Sequence, residues 1–600
     1  MAVLAPSWVG NREDLVDVIL HDRSADMVVK GGRLVNVYTR EIYPADVAIK
    51  GGRIAIVGDV DRVIGKDTQI IDARGRYLTP GLIDTHLHSY HSYVALTEFA
   101  RSLLAHGTTT YADAFYGQAI VSGMKAVKLL LNEIRKTPLK IIFLVPILAS
   151  SSAQNRKVGL SPSPEAITLE DMMDMLAWPE CFGLEEPQPF PVIEKEDDHV
   201  KVYRKTLEMG KVITGHAAGL TTKQVAAYIA MGTSTDHESE ARDEALEKAR
   251  FGMRVLARQG SGWAPNVQQL VKAIYEYHID SRCFSFSVDV LPPDYLGVGD
   301  IDEAIRVAVS SGVDPVTAVQ MATLNAAETF RIDHEIGSIT PGRIADIVLV
   351  DDIQRFQASM VIANGRIVAE DGHFTADLKT SVYPDWVYKT VQLKRPVRPE
   401  DFEIKTDPGA DEVKVRAIQA VLGSIITPEK RFRLKVSGGV VQPDLEQDVI
   451  RITMVDRFNK TGGIGNGYIH GLGLEKGAFG ITVNSICENV LVAGVSAEDV
   501  CLVVNELARI GGGMVLVDDG KVVATVELRL FGLMSDEPLD RFLEKVRKLT
   551  DKLRKMGWKH ESPSVLEFMG VCGDVAHLKI SDQGLLDVDE RRIVDAIIAG

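Results

Sequence analysis

Two β-rich segments punctuated by glycine pairs, with a long alternation of strands and helices between them, constrain this chain more than any other feature. The first, DMVVKGGRLVNVYTREIYPADVAIKGGRIAIVGD (residues 26–59), reads as the short strands MVV, RLVNV, ADVAI and RIAIVG joined by tight Gly-Gly turns. The second, GSITPGRIADIVLVDD followed by SMVIANGRIVAEDG (residues 337–372), has the same texture. Isolated strand pairs cannot bury a core of their own, so both pieces are expected in one small β domain that the chain leaves and later re-enters. In between, residues 80–336 alternate apolar runs with amphipathic stretches. LKIIFLVPI and GKVITGHA read as strands, and TKQVAAYIAM, EALEKARFGMRVLARQ and DEAIRVAVSSG as helices. Such alternation over about 250 residues predicts an α/β fold of the (β/α)8 TIM barrel type. A doubly wound open sheet is the alternative, but no GxGxxG follows a first strand.

A chain of 600 residues exceeds what one hydrophobic core supports. Past residue 400 the texture changes: PVRPEDFEIKTDPGADEV reads as a linker, KTGGIGNGY as a glycine-rich turn, and DVIRITMVDRF and GMVLVDDGKVVATVEL as strands. AEDVCLVVNELARI and LDRFLEKVRKLTDKLRKMG read as helices, giving a C-terminal α+β domain. The expected division is an N-terminal helical segment (1–25), the small β domain's first part (26–79), the barrel (80–336), the β domain's second part with a linker (337–400), and the C-terminal domain (401–600).

A net charge of −16 argues against nucleic-acid binding, which needs a basic stripe. Cys181, Cys283, Cys487, Cys501 and Cys572 form no CxxC pair and their count is odd, which fits a reducing cytoplasm better than a disulfide scaffold. The first residues lack a signal-peptide pattern, and no apolar run approaches a membrane span. The expected setting is cytoplasmic, with no membrane partner.

The strongest local motif is TPGLIDTHLHSY (79–90). On a strand, residues two apart share a face, so His86 and His88 project together, and at the C-terminal end of a barrel strand they project into the mouth. Paired neutral imidazoles bind Zn, Fe or Mn. Four later sites also place a polar group at a strand's C-terminal end. GLEEPQPF carries Glu185 and Glu186, only one of which can face inward if strand alternation holds. VITGHAAG carries His216, GTSTDHESE carries His237 flanked by Asp236 and Glu238, and FSFSVDVLPPD carries Asp289. The order His-x-His, Glu, His, His, Asp points to a metal-dependent hydrolase.

PGLIDTHLH, GLEE, GHAAGL, STDHE, ARQGS, FSFSVD and LNAAETF, in that order, resemble the barrel motifs of the adenine deaminase branch of the amidohydrolase superfamily. KTGGIGNGYIHGLGLEKGA, ELARIGGGMVLVDDGKVVA and FGLMSDEP resemble the carboxyl-terminal domain peculiar to that branch. The resemblance implies a binuclear centre of two divalent metal ions (Zn, Mn or Fe). His86 and His88 would hold one ion with Asp289, Glu186 would bridge, and His216 and His237 would hold the second. Water activated between the ions would attack a C–N carbon, with Asp289 as the proton carrier. Glu238 would be a second catalytic group or a partner that orients His237. Arg258, Tyr90, Phe115 and Tyr116 are expected to bind substrate. A small-molecule substrate and a homo-oligomer, dimer or tetramer, complete the implied picture.

The chain departs from the family near this pocket. Ser89-Tyr90-His91-Ser92 replaces a Glu-Ser-Ser run, and Asp113-Ala114-Phe115-Tyr116 replaces Asp-Pro-His-Glu. Val290 replaces an acid, and NSICEN (484–489) replaces AHDSHN. Buried polar groups that read a purine's ring nitrogens supply large discrimination, so their loss argues for a substrate other than adenine itself. The aromatic replacements suit stacking on a flat ligand, or else pack the core. Hydrolytic deamination of adenine or another amino-heterocycle is the first expectation. An amide or lactam hydrolase is the second, and a non-catalytic binding module the third.

Overall fold

The glycine pairs turn the first β segment back on itself. Met27–Asn36 lies antiparallel to Glu41–Lys50, which pairs with Arg53–Gly58 across the turn at Gly51 and Gly52 (φ +58° and +78°). A Cβ on Gly52 would come within 2.9 Å of the Asn364 carbonyl, so the turn also lets the second β segment approach. In this computed structural model, which describes residues 12–150, 163–260, 265–422, 424, 426–458, 460–570, 575 and 577–598, Ile347–Val350 returns to lie antiparallel on Tyr77–Pro80. Ala358–Ala363, Arg366–Glu370 and His373–Phe374 extend the same sheet, which therefore joins strands from both sides of the barrel. Val29, Leu34, Val47, Ile54, Leu78, Ile347 and Leu349 form its buried face. At the N-terminus a helix spans Arg12–Leu20 and buries Leu15 and Val18; residues 1–11 of the expected helical segment, and Cys572, lie outside the described residues.

Eight parallel strands follow: Leu82–Asp84, Thr108–Asp113, Lys140–Pro146, Cys181–Glu185, Val212–Ile213, Thr235–Asp236, Arg254–Arg258 and Phe284–Ser287. Ser234 N–H donates to the Ile213 carbonyl at 2.9 Å across the fifth and sixth strands. Thr85 N–H reaches the Phe286 carbonyl at 3.3 Å, and Leu87 bridges Asp289 in parallel register, which closes the eighth strand onto the first. The result is the TIM barrel.

Three local expectations are corrected. EALEKARFGMRVLARQ is not one helix: the helix is Arg242–Arg250, Gly252 (φ +85°) ends it, and RVLAR is the seventh barrel strand. KTGGIGNGY is a turn only at its start; Ile464–His470 is a strand in the C-terminal sheet. Its glycines are required by close packing, since a Cβ on Gly465 would meet the Ser581 carbonyl at 1.9 Å. The presumed linker is docked: Val397 and Phe402 are buried in one core with Val500 and Val504 of the helix Ala497–Ile510.

That helix covers one face of a nine-stranded C-terminal sheet; the helix Leu539–Lys555 packs in the other core, with Phe479 and Leu516, and a small sheet is formed by Leu578–Ser581, Gly584–Asp587 and Arg592–Val594. One apolar core runs from the barrel into this region, through residues such as Leu87, Phe531, Met534, Leu566 and Phe568. Among the described residues no helix is long and apolar enough to cross a membrane.

A buried acid pair beside the barrel makes stability depend on pH. Asp300 accepts from Thr108 Oγ1 (2.8 Å) and caps the helix Ile301–Ser310, while Asp302 Oδ2 sits 3.4 Å from His106 Nδ1. Burial and the neighbouring Asp302 push Asp300 up to about 7. Burial opposes the charge on His106, but Asp302 outweighs it and raises the imidazole above its ordinary value. The folded Asp300 keeps a proton that an unfolded aspartate releases near pH 4, so stability falls as pH rises from about 4 to about 7. The contribution of His106 is complete below about pH 6.5 and disappears as pH climbs through its raised value. Both act in one direction, so the contribution of this cluster to the melting temperature is expected to decline as pH rises from about 5 to about 7. Asp300→Asn, which still caps the helix, should flatten the lower part of that decline in a pH series of thermal melts.

Candidate metal centre

Short strands deliver the polar groups, because each chemically active residue sits at or just past a strand's C-terminal end. Asp84 fixes the first and last tips together: its Oδ1 accepts from the backbone N–H of His86 (3.0 Å) and of Val288 (3.2 Å). His88 N–H donates to the Asp289 carbonyl and Asp289 N–H to the His86 carbonyl, both at 2.8 Å. At the fifth and sixth tips, buried Asp236 accepts from Ala217 N–H at 2.8 Å and from the backbone and hydroxyl of Ser239 at 3.0 and 2.7 Å. Lys248 Nζ, 1% exposed, binds Asp236 at 2.8 Å and the Ala217 carbonyl at 3.1 Å. Removing one partner of such a buried pair costs about 3–5 kcal/mol, so Asp236 and Lys248 hold the His216 and His237 loops in fixed relation.

Glu186 lies at the middle. Its Oε1 is 3.2 Å from His88 Nε2, and its Oε2 is 3.3 Å from His237 Nε2 and 3.5 Å from both His86 Nε2 and His216 Nδ1. Asp289 Oδ1 is 3.6 Å from Nε2 of His86 and of His88. The six residues expected as ligands are thus brought together, in the buried or nearly buried groups His86–His88–Glu186, His86–His237–Asp289 and Glu186–His216–His237. Burial disfavours charge on Glu186, but His86 and His88 outweigh it and hold the carboxylate well below the usual range.

The donor set fits a metal. Both ring nitrogens of His86 and the Nδ1 atoms of His88 and His237 are buried without a hydrogen-bond partner among the described residues. The buried, unpartnered His86 Nε2 faces Glu186 Oε2 at 3.5 Å and Asp289 Oδ1 at 3.6 Å, and a divalent cation among these donors would satisfy it.

The remaining expected site residues are placed unequally. Glu238 Oε1 lies 3.1 Å from His237 Nε2, 3.7 Å from His216 Nδ1 and 3.0 Å from Arg258 Nη1. Burial raises its carboxyl, but Arg258 and His216 more than compensate and hold it at about 2. Arg258, expected to bind substrate, instead clamps two acids of the centre, its Nη1 lying 2.8 Å from Asp289 Oδ2 as well. Tyr116 is at the site, its ring 5.4 Å from that of His88 and its hydroxyl donating to the Glu185 carbonyl at 3.3 Å. Tyr90 is farther out, its ring 6.4 Å from that of His88. Phe115 is not at the centre. Its left-handed backbone (φ +56°) turns the ring onto Phe143, 6.3 Å away, which stacks in turn on Trp178, so it serves packing.

Glu185 corrects the alternation argument. Its Oε1 lies 3.7 Å from His86 Nδ1, so both members of the doublet reach the centre. Glu186 follows the strand's last residue with φ +24°, and the two-residue period no longer applies there. Burial and the adjacent Glu186 carboxylate push Glu185 well above the usual carboxylate range. The two neighbouring carboxyls are thus pushed in opposite directions, Glu186 down by the imidazoles and Glu185 up by burial and by Glu186. Glu567 and Glu488, from the C-terminal region, reach the turn after His88 and were not anticipated.

A (β/α)8 barrel with a buried histidine–carboxylate cluster at its strand tips defines a metal-dependent hydrolase of the amidohydrolase type. Residues 77–368 match the amidohydrolase family model, and residues 424–592 match the adenine deaminase C-terminal domain. Adenine deaminase from Clostridium botulinum is 36% identical over 96% of this chain and 95% of its own length. Adenine deaminase from Moorella thermoacetica is 36% identical over 97% and 98%, and adenine deaminase 3 from Rhizobium meliloti 37% identical over 98% and 99%. The chain belongs to the adenine deaminase family. It is a hydrolase of C–N bonds that uses a divalent metal for hydrolytic deamination of a small molecule.

Proposed function

We propose that the substrate is an amino-substituted nitrogen heterocycle of about purine size, and that His86, His88, Glu186, His216, His237 and Asp289 hold two divalent ions, Zn, Mn or Fe all suiting this donor set. The observation that carries the reading is one carboxylate, Glu186, within 3.2–3.5 Å of all four imidazoles, with Asp289 beside it. Bound divalent ions supply Lewis acidity and make a water acidic enough to attack near neutral pH.

The chain's own groups do the rest. Asp289 Oδ1 accepts a proton from the attacking water and delivers it to the departing nitrogen, so that water and the ring amine become the ring hydroxyl or oxo product and ammonia. Arg258 holds Asp289 Oδ2, which keeps Oδ1 turned to the imidazoles. Glu238, on His237 and Arg258, is placed to orient the imidazole and to face a ring N–H. Tyr116 offers a flat wall next to His88. The relatives' names make adenine the first compound to assay.

The test is incubation of metal-loaded enzyme with adenine, other aminopurines, aminopterins, lactams and N-acyl amino acids, measuring ammonia and carboxylate together. One ammonia per oxo product from an amino-heterocycle is the expected result. New carboxylate without ammonia would replace this reading with amide or lactam hydrolysis.

A further inference from the structure

The turn after His88 is gripped from the C-terminal region. Ser89–Ser92 forms one buried 3-10 turn, ended by Tyr93 in the left-handed conformation. His91 Nδ1 lies 2.9 Å from Glu567 Oε2, and the Tyr93 hydroxyl donates to the same oxygen at 3.3 Å. The Tyr90 hydroxyl hydrogen-bonds to Glu488. The Tyr90 and His91 rings lie 4.1 Å apart, and Phe568 stacks on His91 at 6.0 Å. Ser535 N–H donates to the Tyr93 carbonyl at 2.7 Å, and the Ser535 carbonyl accepts from Ala95 N–H at 3.0 Å. The held turn is next to the metal centre, since the His91 ring is 6.0 Å from that of His88.

Glu488 and Glu567 are wholly buried, and Oε1 of each makes no hydrogen bond among the described residues. Burying a carboxyl with one oxygen unsatisfied is costly, and apolar side chains would serve plain packing better. Their common feature is that both hold the same turn, Glu488 at Tyr90 and Glu567 at His91 and Tyr93.

We propose that the C-terminal region is a working part of the active site: Glu567 through His91 and Tyr93, and Glu488 through Tyr90, are positioning residues that set the pocket wall beside His88 and so select which amino-heterocycle is accepted. The selectivity half rests on the deaminase reading; the positioning half does not.

The experiment compares metal-loaded wild type with Glu567→Ala, Glu567→Gln, Glu488→Ala, Glu488→Gln and Tyr90→Phe. KM and kcat are measured over several amino-heterocycles, and amide hydrogen exchange over residues 86–95. The alanine variants are expected to raise KM about tenfold, by unequal factors for different substrates, with kcat changed by less than about threefold. Exchange should quicken in the turn and not elsewhere. The glutamine variants, which keep a hydrogen-bonding group of the same shape, should recover most of the KM, and Tyr90→Phe should shift it in the alanine direction. Unchanged KM and unchanged exchange would overturn the proposal. So would a joint fall of kcat, melting temperature and protection across the whole C-terminal sheet. If an alanine variant does not fold, Tyr90→Phe for Glu488 and Tyr93→Phe for Glu567 decide the same question, each by removing a single hydroxyl. A wild type that releases no ammonia from any amino-heterocycle sinks the deaminase reading alone, because exchange in the turn still reports whether the two carboxyls hold it.

Discussion

Asp289→Asn is expected to lower kcat by about 10²–10⁴-fold while leaving a folded protein of nearly unchanged melting temperature. The backbone tolerates the change. Asp289 has φ +67°, a left-handed conformation that asparagine adopts as readily as aspartate. The two main-chain hydrogen bonds that tie it to His86 and His88 do not involve its side chain. An asparagine carbonyl still accepts from Arg258, and Arg258 keeps Glu238 as its counter-charge, so no buried cation is orphaned. What disappears is the negative charge facing His86 and His88 and the capacity to take a proton. The loss should therefore fall on turnover, read as kcat at saturating substrate with metal content measured on the same sample. A variant that turns over at a near-normal rate would remove Asp289 from the role of proton carrier.

Pattern reasoning worked here where a local period and a three-dimensional direction coincide. His86 and His88 share a face because they are two apart at a strand end, and the closed barrel carries that face to the mouth. It failed one residue beyond the strands. Alternation excluded one of Glu185 and Glu186, yet the positive φ of Glu186 cancels it and admits both. Phe115, named for the pocket from the family's motif with core packing as the alternative, takes a left-handed turn that sends its ring to the Phe143–Trp178 stack. RVLAR escaped detection because a short apolar run beside a helix carries no period that tells strand from helix. Glu567 left no local signal and Glu488 stood out only as part of NSICEN (484–489): their meaning lies in contacts with Tyr90 and His91, hundreds of residues earlier in the chain. The cross-domain halves of a site become visible only when the fold brings them together.

Glu186→Gln is expected to weaken divalent metal binding by at least about 100-fold, which exceeds what loss of a merely supporting partner would do. The substitution keeps volume and backbone, so the cause is electrical. Among the described residues Glu186 is the only side chain whose oxygens face His86, His88, His216 and His237 together, and although burial opposes its charge those imidazoles hold it well below the usual carboxylate range. An amide brings no charge and turns N–H donors toward a site built to accept a cation. Glu185→Gln is the informative control. Of the four imidazoles Glu185 pairs closely with His86, 3.7 Å from its Nδ1, and burial and Glu186 push its carboxyl up, so its replacement should lower metal content far less than that of Glu186. The measurement is metal per chain after dialysis, with thermal melts before and after a chelator. A ligand bound only to the folded state raises the melting temperature by mass action, so chelation should lower it clearly in wild type and in Glu185→Gln, and scarcely at all in Glu186→Gln. Equal metal loss in the two variants would mean that the doublet acts as one diffuse patch of acidity, and that the bridging position does not belong to Glu186.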